Sequence, residues 1–227
     1  MGAAHFLTTI PMRKSRSLLL LTVAACALAA SCSSLYYSSM EKLGKEKRDI
    51  LVSRVKNVRE DQEKAKEQFK TTLEAFQAVT GFDGGDLEKT YKKLNGEFED
   101  AESRAKKVHE RVDSVEKVAK DLFAEWEEEV GSIQDPKLKS KSRALLLDTR
   151  KRYAALMKKM RTAEKRMEPV LAAFRDQVLF LKHNLNARAI QSLKETTIEI
   201  DTEVTRLVQD LESSIQEADA FIAAMAV

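Results

Sequence analysis

The chain has 227 residues, of which 33% are charged and 6% aromatic, with only 7 Gly and 3 Pro. This composition predicts long helices and argues against a sandwich, a barrel or a doubly wound sheet. The two cysteines cannot form a disulfide framework or a four-ligand zinc site, and three histidines are too few for a histidine-rich metal centre. We therefore expect an all-α protein with no cofactor and no bound metal.

Residues 1–31 have the pattern of a secretory signal peptide. These residues contain no Asp or Glu. Three basic residues, Arg13, Lys14 and Arg16, precede a 13-residue apolar run from Leu18 to Ala30. That run is too short to span a bilayer, which takes about 20 residues. A basic flank, a short apolar run and small residues before a cleavage point are typical of an export signal.

Two cysteines compete as the site of a lipoprotein anchor. Cys26 has the better local lipobox but leaves only eight apolar residues before the cut, whereas Cys32 leaves a full-length apolar run. We favour Cys32, followed by a linker over residues 32–37 and a helical domain over residues 38–227. An ordinary cleaved signal without lipid is the alternative. Acylation would anchor the chain firmly, because two acyl chains already suffice, and Ser33 favours the outer membrane of a Gram-negative cell.

Cleavage of the signal changes the charge balance. The whole chain carries 39 Lys+Arg and 36 Asp+Glu, and loss of the three basic residues of the signal leaves 36 of each sign. A mature net charge of zero and an exported location argue against nucleic acid as a partner.

Four long segments of the mature chain space their apolar residues alternately by four and three. The second segment is the clearest, with twelve consecutive matches from Leu87 to Trp126. Such a repeat of 3.5 residues is typical of coiled-coil-like packing. The other segments cover Leu51–Val79, Leu146–Leu181 and Leu193–Met225.

Short breaks separate these segments. Gly81–Asp86 supplies a glycine to end the first helix and an aspartate to cap the second, and Gly131–Pro136 supplies a proline to open the third. His183–Asn186 is the softest break. Pro169 lies within the third segment and predicts a kink, because the apolar spacing continues beyond it. Similar lengths and short loops predict an elongated antiparallel bundle of four long helices.

The charge distribution agrees with this order of helices. Residues 137–166 hold 12 basic and 2 acidic residues, whereas residues 86–129 and 189–227 carry net charges of −5 and −6. The third helix is therefore expected to pack between the second and the fourth. In an alternative interpretation, Lys137–Arg166 binds an anionic envelope component directly, namely peptidoglycan, lipopolysaccharide or phospholipid.

No motif in the chain supplies catalytic chemistry. Gly81–Asp86 lacks both the ligand spacing of an EF-hand and the ending of a phosphate-binding loop. Neither His109 nor His183 follows a glutamate by three residues, as a di-iron bundle requires. We therefore expect no catalytic residues and no enzymatic activity.

The predicted topology brings two of the breaks together at the tip farthest from the N-terminus. Phe82 lies in one break, and His183, Asn184 and Asn186 lie in the other. The simpler interpretation of these three polar residues is a helix-capping cluster. We predict instead that the four side chains form a surface that contacts an envelope protein.

Several stretches also resemble a known family. They are Cys-Ser-Ser-Leu-Tyr-Tyr from Cys32, Glu-Lys-Leu-Gly from Glu41, Lys-Arg-Asp-Ile-Leu-Val from Lys47, Leu-Phe-Ala-Glu-Trp from Leu122 and Asp-Gln-Val-Leu-Phe-Leu-Lys-His-Asn-Leu-Asn-Ala from Asp176. They are similar to an uncharacterised bacterial family, domain of unknown function 2959. The resemblance implies an exported, often lipidated helical protein and favours Cys32, and it implies no catalytic residue.

Together these features predict a lipoprotein of the outer membrane that faces the periplasm. It is expected to act as a structural or adaptor protein, held by its N-terminal lipid and bound to an envelope protein. Four polar residues on the apolar repeats, which could set register or lie at an interface, leave the oligomeric state open. They are Gln62, Thr72, Thr149 and Gln177.

Overall fold

The computed structural model describes residues 47–225. The chain divides into two compact units, Met1–Glu46 and Lys47–Val227, and every described residue belongs to the second unit. Several of the predictions concern positions outside the described residues: the signal peptide 1–31, Cys26, Cys32 and the linker 32–37.

The described part of the chain is helical throughout and contains no strand. Its helices are α1 (Lys47–Thr80), α2 (Leu87–Ser132), α3 (Pro136–His183), α4 (Ala187–Ser192) and α5 (Lys194–Met225). The all-α class and the bundle of four long helices are confirmed. The structure adds α4, a six-residue helix between the third and the fourth of the long helices.

The four long helices form a closed ring. Helix α1 packs against α2 and α5, and α3 packs against the same two helices from the other side. Lys47 at the start of α1 pairs with Glu125 near the end of α2 at 2.9 Å, and Arg175 near the end of α3 pairs with Glu102 near the start of α2 at 2.6 Å. Ion pairs also join α5 to its two neighbours: Asp219 near the end of α5 pairs with Arg59 near the start of α1, and Asp210 pairs with Arg166 of α3. In each of these contacts the chain directions are opposed, so neighbouring helices are antiparallel.

The apolar repeats of the sequence line the centre of the ring. Eight of the twelve repeat positions of α2 are buried, and the other four are half-buried. The fully buried Phe76 of α1 and Phe174 of α3 meet edge to face across the ring, with their centroids 6.1 Å apart. Burial of each such aromatic side chain contributes about 1.5–3 kcal/mol, so the repeats supply most of the stability.

The helix boundaries have local causes. The Asp86 carboxylate accepts a hydrogen bond from the Lys89 amide at 3.0 Å and caps α2, as predicted. Asp135, which the sequence interpretation did not single out, caps α3 directly before Pro136. Helix α3 is continuous through Pro169, which confirms that this proline does not end it.

A polar layer crosses the middle of the bundle. Gln62 of α1 is fully buried, and the Ser214 hydroxyl of α5 donates to its Oε1 at 3.0 Å, while its Nε2 has no partner among residues 47–225. The neighbouring Asp61 is also buried and pairs with Lys107 and Arg111 of α2 at 3.1 and 3.2 Å. The layer ties α1 to both of its neighbours at one level, which fixes the register of the helices.

The long helices differ in length. Helices α2 and α3 have 46 and 48 residues, whereas α1 and α5 have 34 and 32. Arg48 at the start of α1 donates to the carbonyl of Met225 at the end of α5, so these two helices stop at the same level. Helices α2 and α3 continue beyond that level. We call residues 126–147 the hairpin end, and the opposite end, with residues 81–86 and 184–193, the loop end.

The buried layer gives a test of the register. Replacement Ser214→Ala leaves both polar groups of Gln62 unpaired, and we expect it to lower the free energy of unfolding by about 1–2 kcal/mol. The double variant Gln62→Leu/Ser214→Ala removes the unpaired groups and should be at least as stable as the parent. Urea unfolding measures both, with the exposed Ser140→Ala as control. A double variant as unstable as the single one would contradict the assignment.

Candidate functional site

The loop between α1 and α2 holds Phe82 at the surface. The Gly81 amide donates to the Gln77 carbonyl at 2.8 Å, and the Phe82 amide donates to the Val79 carbonyl at 3.2 Å, so the first residues of the loop continue the end of α1. Gly85 has a φ of +104°, a conformation that favours glycine because it has no Cβ. Backbone hydrogen bonds thus fix the turn that carries Phe82, and the Phe82 side chain is half-buried.

The corner between α3 and α5 uses two asparagines as caps. The Asn184 side chain donates to the Phe180 carbonyl at 3.0 Å at the end of α3. The Asn186 side chain accepts from the Ala189 amide at 3.1 Å and begins α4. The capping interpretation therefore describes the contacts of both asparagines, and the His183 side chain is exposed beside them.

A cavity of about 400 Å³ lies at the loop end between the α1–α2 loop and α4. Its walls are Thr80, Gly81, Phe82, Asp83 and Leu87 on one side, and Ala187, Ile190, Gln191 and Lys194 on the other. Apolar residues such as Phe82 and Ile190 and polar residues such as Asp83 and Lys194 line the cavity together, and a site that receives a side chain or a small ligand combines both kinds.

The predicted site residues divide between this cavity and the corner beside it. Phe82 lines the cavity, and Asn186 directly precedes the first cavity residue of α4. His183 and Asn184 lie on the corner between α3 and α5 and do not line the cavity. The sequence interpretation missed Ile190 and Lys194, because the apolar repeat alone does not reveal that α4 folds over the Phe82 loop.

Exposed apolar side chains mark both ends of the bundle. The described residues include six large apolar side chains that are well exposed: Leu138, Leu145, Leu147, Leu179, Phe180 and Ile198. The first three lie at or beside the hairpin end, and the last three lie on the final turns of α3 and the first turns of α5, next to the loop end.

Two ion pairs lie in a groove in the middle of the bundle. A groove of about 520 Å³ between α2 and α3 is lined by Glu102, His109, Glu164 and Arg175, among others. Arg175 pairs there with Glu102 at 2.6 Å, and His109 contacts Glu164 at 2.5 Å. These pairs connect α2 to α3 in the middle of the bundle.

The arginines and the lysines of α3 behave differently. Arg161 contacts Asp113, Glu116 and Glu164 at 2.6–2.7 Å, and its hydrogen bond holds the pKa of Asp113 below the usual range. Arg166 pairs with Asp210 of α5. Most of the lysines of α3 have no carboxylate partner within the described residues. The positive charge of this helix is thus only partly neutralised by its neighbours.

Metal and membrane-spanning features can be assessed for residues 47–225. Within that range, no three His, Cys, Asp or Glu side chains are grouped so that they could hold a metal ion. None of the helices in the same range combines the length and the apolarity that a membrane crossing requires.

Fold and site together define an all-helical protein with a ring of four long helices and a cavity at its loop end. The chain belongs to the family described as protein of unknown function (DUF2959), whose profile matches residues 36–225 and includes every described residue. The resemblance found in the sequence is thereby confirmed. Comparison with curated proteins and with solved structures gave no match.

His109 gives a test of the charge network between α2 and α3. Its contact with Glu164 raises the pKa of His109 above the ordinary value of 6.5. A raised pKa in the folded state means that protonated His109 stabilises the fold fully below pH 6.5, and that this contribution is lost as the pH rises through the folded-state pKa.

We therefore expect the parent protein to be more stable than His109→Gln at pH 6, with a smaller difference at pH 8.5. Urea unfolding at both pH values measures the effect, and His183→Gln at the loop end is the control. A difference between the parent and His109→Gln that grows with pH would contradict the assigned pair.

Proposed function

We propose that this protein is a lipoprotein, anchored through Cys32 in the outer membrane and facing the periplasm, that contacts an envelope protein through its loop end. Its role is that of a non-enzymatic structural or adaptor protein. The contact surface comprises Phe82 with the neighbouring His183, Asn184 and Asn186. The observation that carries the proposal is the cavity of about 400 Å³ at the end of the bundle opposite to Lys47, where the described chain begins.

The geometry supports a spacer with two different ends. Lys47 lies beside Glu125, at the base of the hairpin end, so the chain that precedes it enters the bundle there. The 34 residues of α1 rise about 1.5 Å each, which places the loop end roughly 50 Å away along the helix axis. An anchor on the N-terminal side would thus hold the cavity well away from the membrane.

The chemistry of the loop end fits a protein partner. Phe82, Leu87 and Ile190 offer apolar contacts, and Asp83 and Lys194 supply charges. Interfaces commonly place a few apolar anchors at the centre and polar groups around them. The exposed side chains on the last turns of α3 and the first turns of α5 would enlarge the apolar area that a partner can cover.

The lipid anchor has a direct test. Cells that express the protein are supplied with radiolabelled palmitate, and we expect label on the parent and on Cys26→Ser but none on Cys32→Ser. Label that persists on Cys32→Ser and is lost on Cys26→Ser would move the anchor to Cys26. A parent protein without label would have an ordinary signal peptide instead.

The loop-end contact is tested by crosslinking in cells. A photoreactive amino acid at Ile198, which is 72% exposed, should give a crosslinked partner that mass spectrometry identifies. The same amino acid at the exposed Lys120, in the last third of α2 and far from the loop end, is the matched control and should give none.

The crosslink from Ile198 should be lost when Phe82→Ser and Asn184→Ala are combined, as long as the thermal unfolding of this variant shows a folded bundle. Since Asn184 caps α3, Phe82→Ser alone is tested beside it, and we expect at least a tenfold lower yield. An unchanged crosslink in both variants, or the same partner from Lys120, would reject the loop end as the contact surface.

A second candidate function is direct binding of an anionic envelope component through Lys137–Arg166. The unpaired lysines of α3 favour it, for example Lys158 and Lys159, which are exposed and have no carboxylate partner among residues 47–225. Sedimentation with peptidoglycan or lipopolysaccharide separates the two functions, because charge-driven binding must weaken as the salt concentration rises.

A further inference from the structure

The basic side chains in the middle of α3 fall into two groups. Every arginine from Arg150 to Arg175 pairs with a carboxylate, and most of these carboxylates lie on α2 or α5. By contrast, Lys151, Lys158 and Lys165 are exposed, and none of them has a carboxylate partner among residues 47–225. The arginines therefore connect the helices, whereas these three lysines leave their charge on the surface.

The three lysines lie in one line along the outer side of α3. Their spacing of seven residues returns each side chain to the same face of the helix, about 10.5 Å from the previous one at a rise of 1.5 Å per residue. The line extends from Lys151 to Lys165 over roughly 21 Å of the axis. Leu156 and Met160, which lie between them, are fully buried, so the line faces away from the core.

A lysine of α2 lies across the groove from the end of this line. Lys106 of α2 and Lys165 of α3 both line the groove of about 520 Å³ between these helices. Lys106 is exposed and, like Lys165, has no carboxylate partner within the described part of the chain. Two helices thus contribute positive charge to the same surface.

The carboxylates beside the line are mostly engaged elsewhere. On α3, no Asp or Glu lies between Asp148 and Glu164. Asp148 pairs with Arg152 at 2.7 Å, and Glu164 pairs with Arg161 at 2.6 Å. Glu168 also lines the groove and forms no ion pair with another described residue, so the positive line ends there. Between these limits, an anion would meet lysines without a competing free carboxylate.

This surface suits a long anionic chain better than a bilayer or a small anion. Within residues 148–178, no large apolar side chain is well exposed, whereas a helix that lies in a membrane interface buries an apolar face there. Three charges spread over roughly 21 Å exceed the reach of one small anion. Lysine presents a point charge without the planar fork of arginine, so it suits a flexible polymer better than one fixed planar group.

We propose that Lys106, Lys151, Lys158 and Lys165 bind a linear anionic polysaccharide that lies along α3. We name these four residues the lysine strip. The choice of a polysaccharide among polyanions rests on the export that is part of the proposed function. The strip assigns residues to the second candidate function and adds Lys106 of α2 to it. Because the strip lies in the middle of the bundle, it leaves the loop end free for a protein partner.

The test uses the mature chain, residues 32–227, with Cys32→Ser so that no lipid is attached. Its binding to fluorescein-labelled polygalacturonate, which carries one carboxylate per sugar, is measured by fluorescence anisotropy, with labelled neutral dextran as the control polymer. We expect binding to polygalacturonate that weakens as salt rises, and none to dextran. The galacturonate monomer, at equal carboxylate concentration, should compete at least tenfold more weakly than the polymer, because it cannot contact several lysines at once.

A strip variant and a matched control variant locate the contact. The strip variant replaces the four lysines of the strip by glutamine: Lys106→Gln/Lys151→Gln/Lys158→Gln/Lys165→Gln. We expect it to bind polygalacturonate at least tenfold more weakly than the parent, with a smaller dependence on salt.

The control variant removes the same charge from exposed lysines on α1 and near the loop end, which also have no carboxylate partner among residues 47–225. Its substitutions are Lys56→Gln/Lys89→Gln/Lys93→Gln/Lys182→Gln. It should keep the affinity of the parent within about twofold, since charge away from the strip contributes only weakly at physiological salt. Thermal unfolding verifies that both variants are folded.

Four results would overturn the lysine strip. They are the absence of binding to polygalacturonate, equal competition by the monomer, an equal loss of affinity in the control variant, and tighter binding to phosphatidylglycerol vesicles than to the polymer. The last result would assign the lysines to a membrane surface. Failure of the lipid anchor appears separately in the palmitate labelling, and failure of the loop-end contact appears in the crosslink from Ile198. Neither failure alters the anisotropy measurement.

Discussion

The constraint on which the bundle depends is that its apolar repeats become buried only when all four long helices close into one ring. A single helix of this kind exposes its repeat, and a pair of helices still exposes half of it. Closure requires α5 to return between α1 and α3, and Phe76 and Phe174 meet across the centre as a result. The buried pair of Gln62 and Ser214 holds α1 and α5 at one level.

Closure of helices with unequal lengths also produces two unlike ends. Because α1 begins and α5 stops at the same level, the longer α2 and α3 extend past them as a hairpin. At the other end, all helices turn back through short segments, and α4 folds over the α1–α2 loop to leave a cavity. The large exposed apolar side chains among the described residues lie at or near these ends, and several ion pairs connect the helices between them. In the proposed function, one end serves the membrane and the other serves a partner.

Much of this fold could be predicted, because the repeat of 3.5 residues and the breaks at Gly81–Asp86 and Gly131–Pro136 are local signals. The cavity could not be predicted, since Ile190 and Phe82 are distant in sequence and α4 is too short to show a period. The roles of Asn184 and Asn186 depend on which backbone amides and carbonyls they reach, which the sequence leaves open.

The central claim is that the hairpin end lies at the membrane and the loop end points away from it. Energy transfer from a dye to acceptors in the bilayer tests this most directly. The lipidated protein is labelled at Gln134→Cys, two residues before α3, or at Lys182→Cys in its last turn, so that the two dyes lie roughly 70 Å apart at opposite ends of this helix. We expect strong transfer from position 134 and almost none from position 182. Equal transfer from the two positions would show a bundle lying flat and would contradict the account.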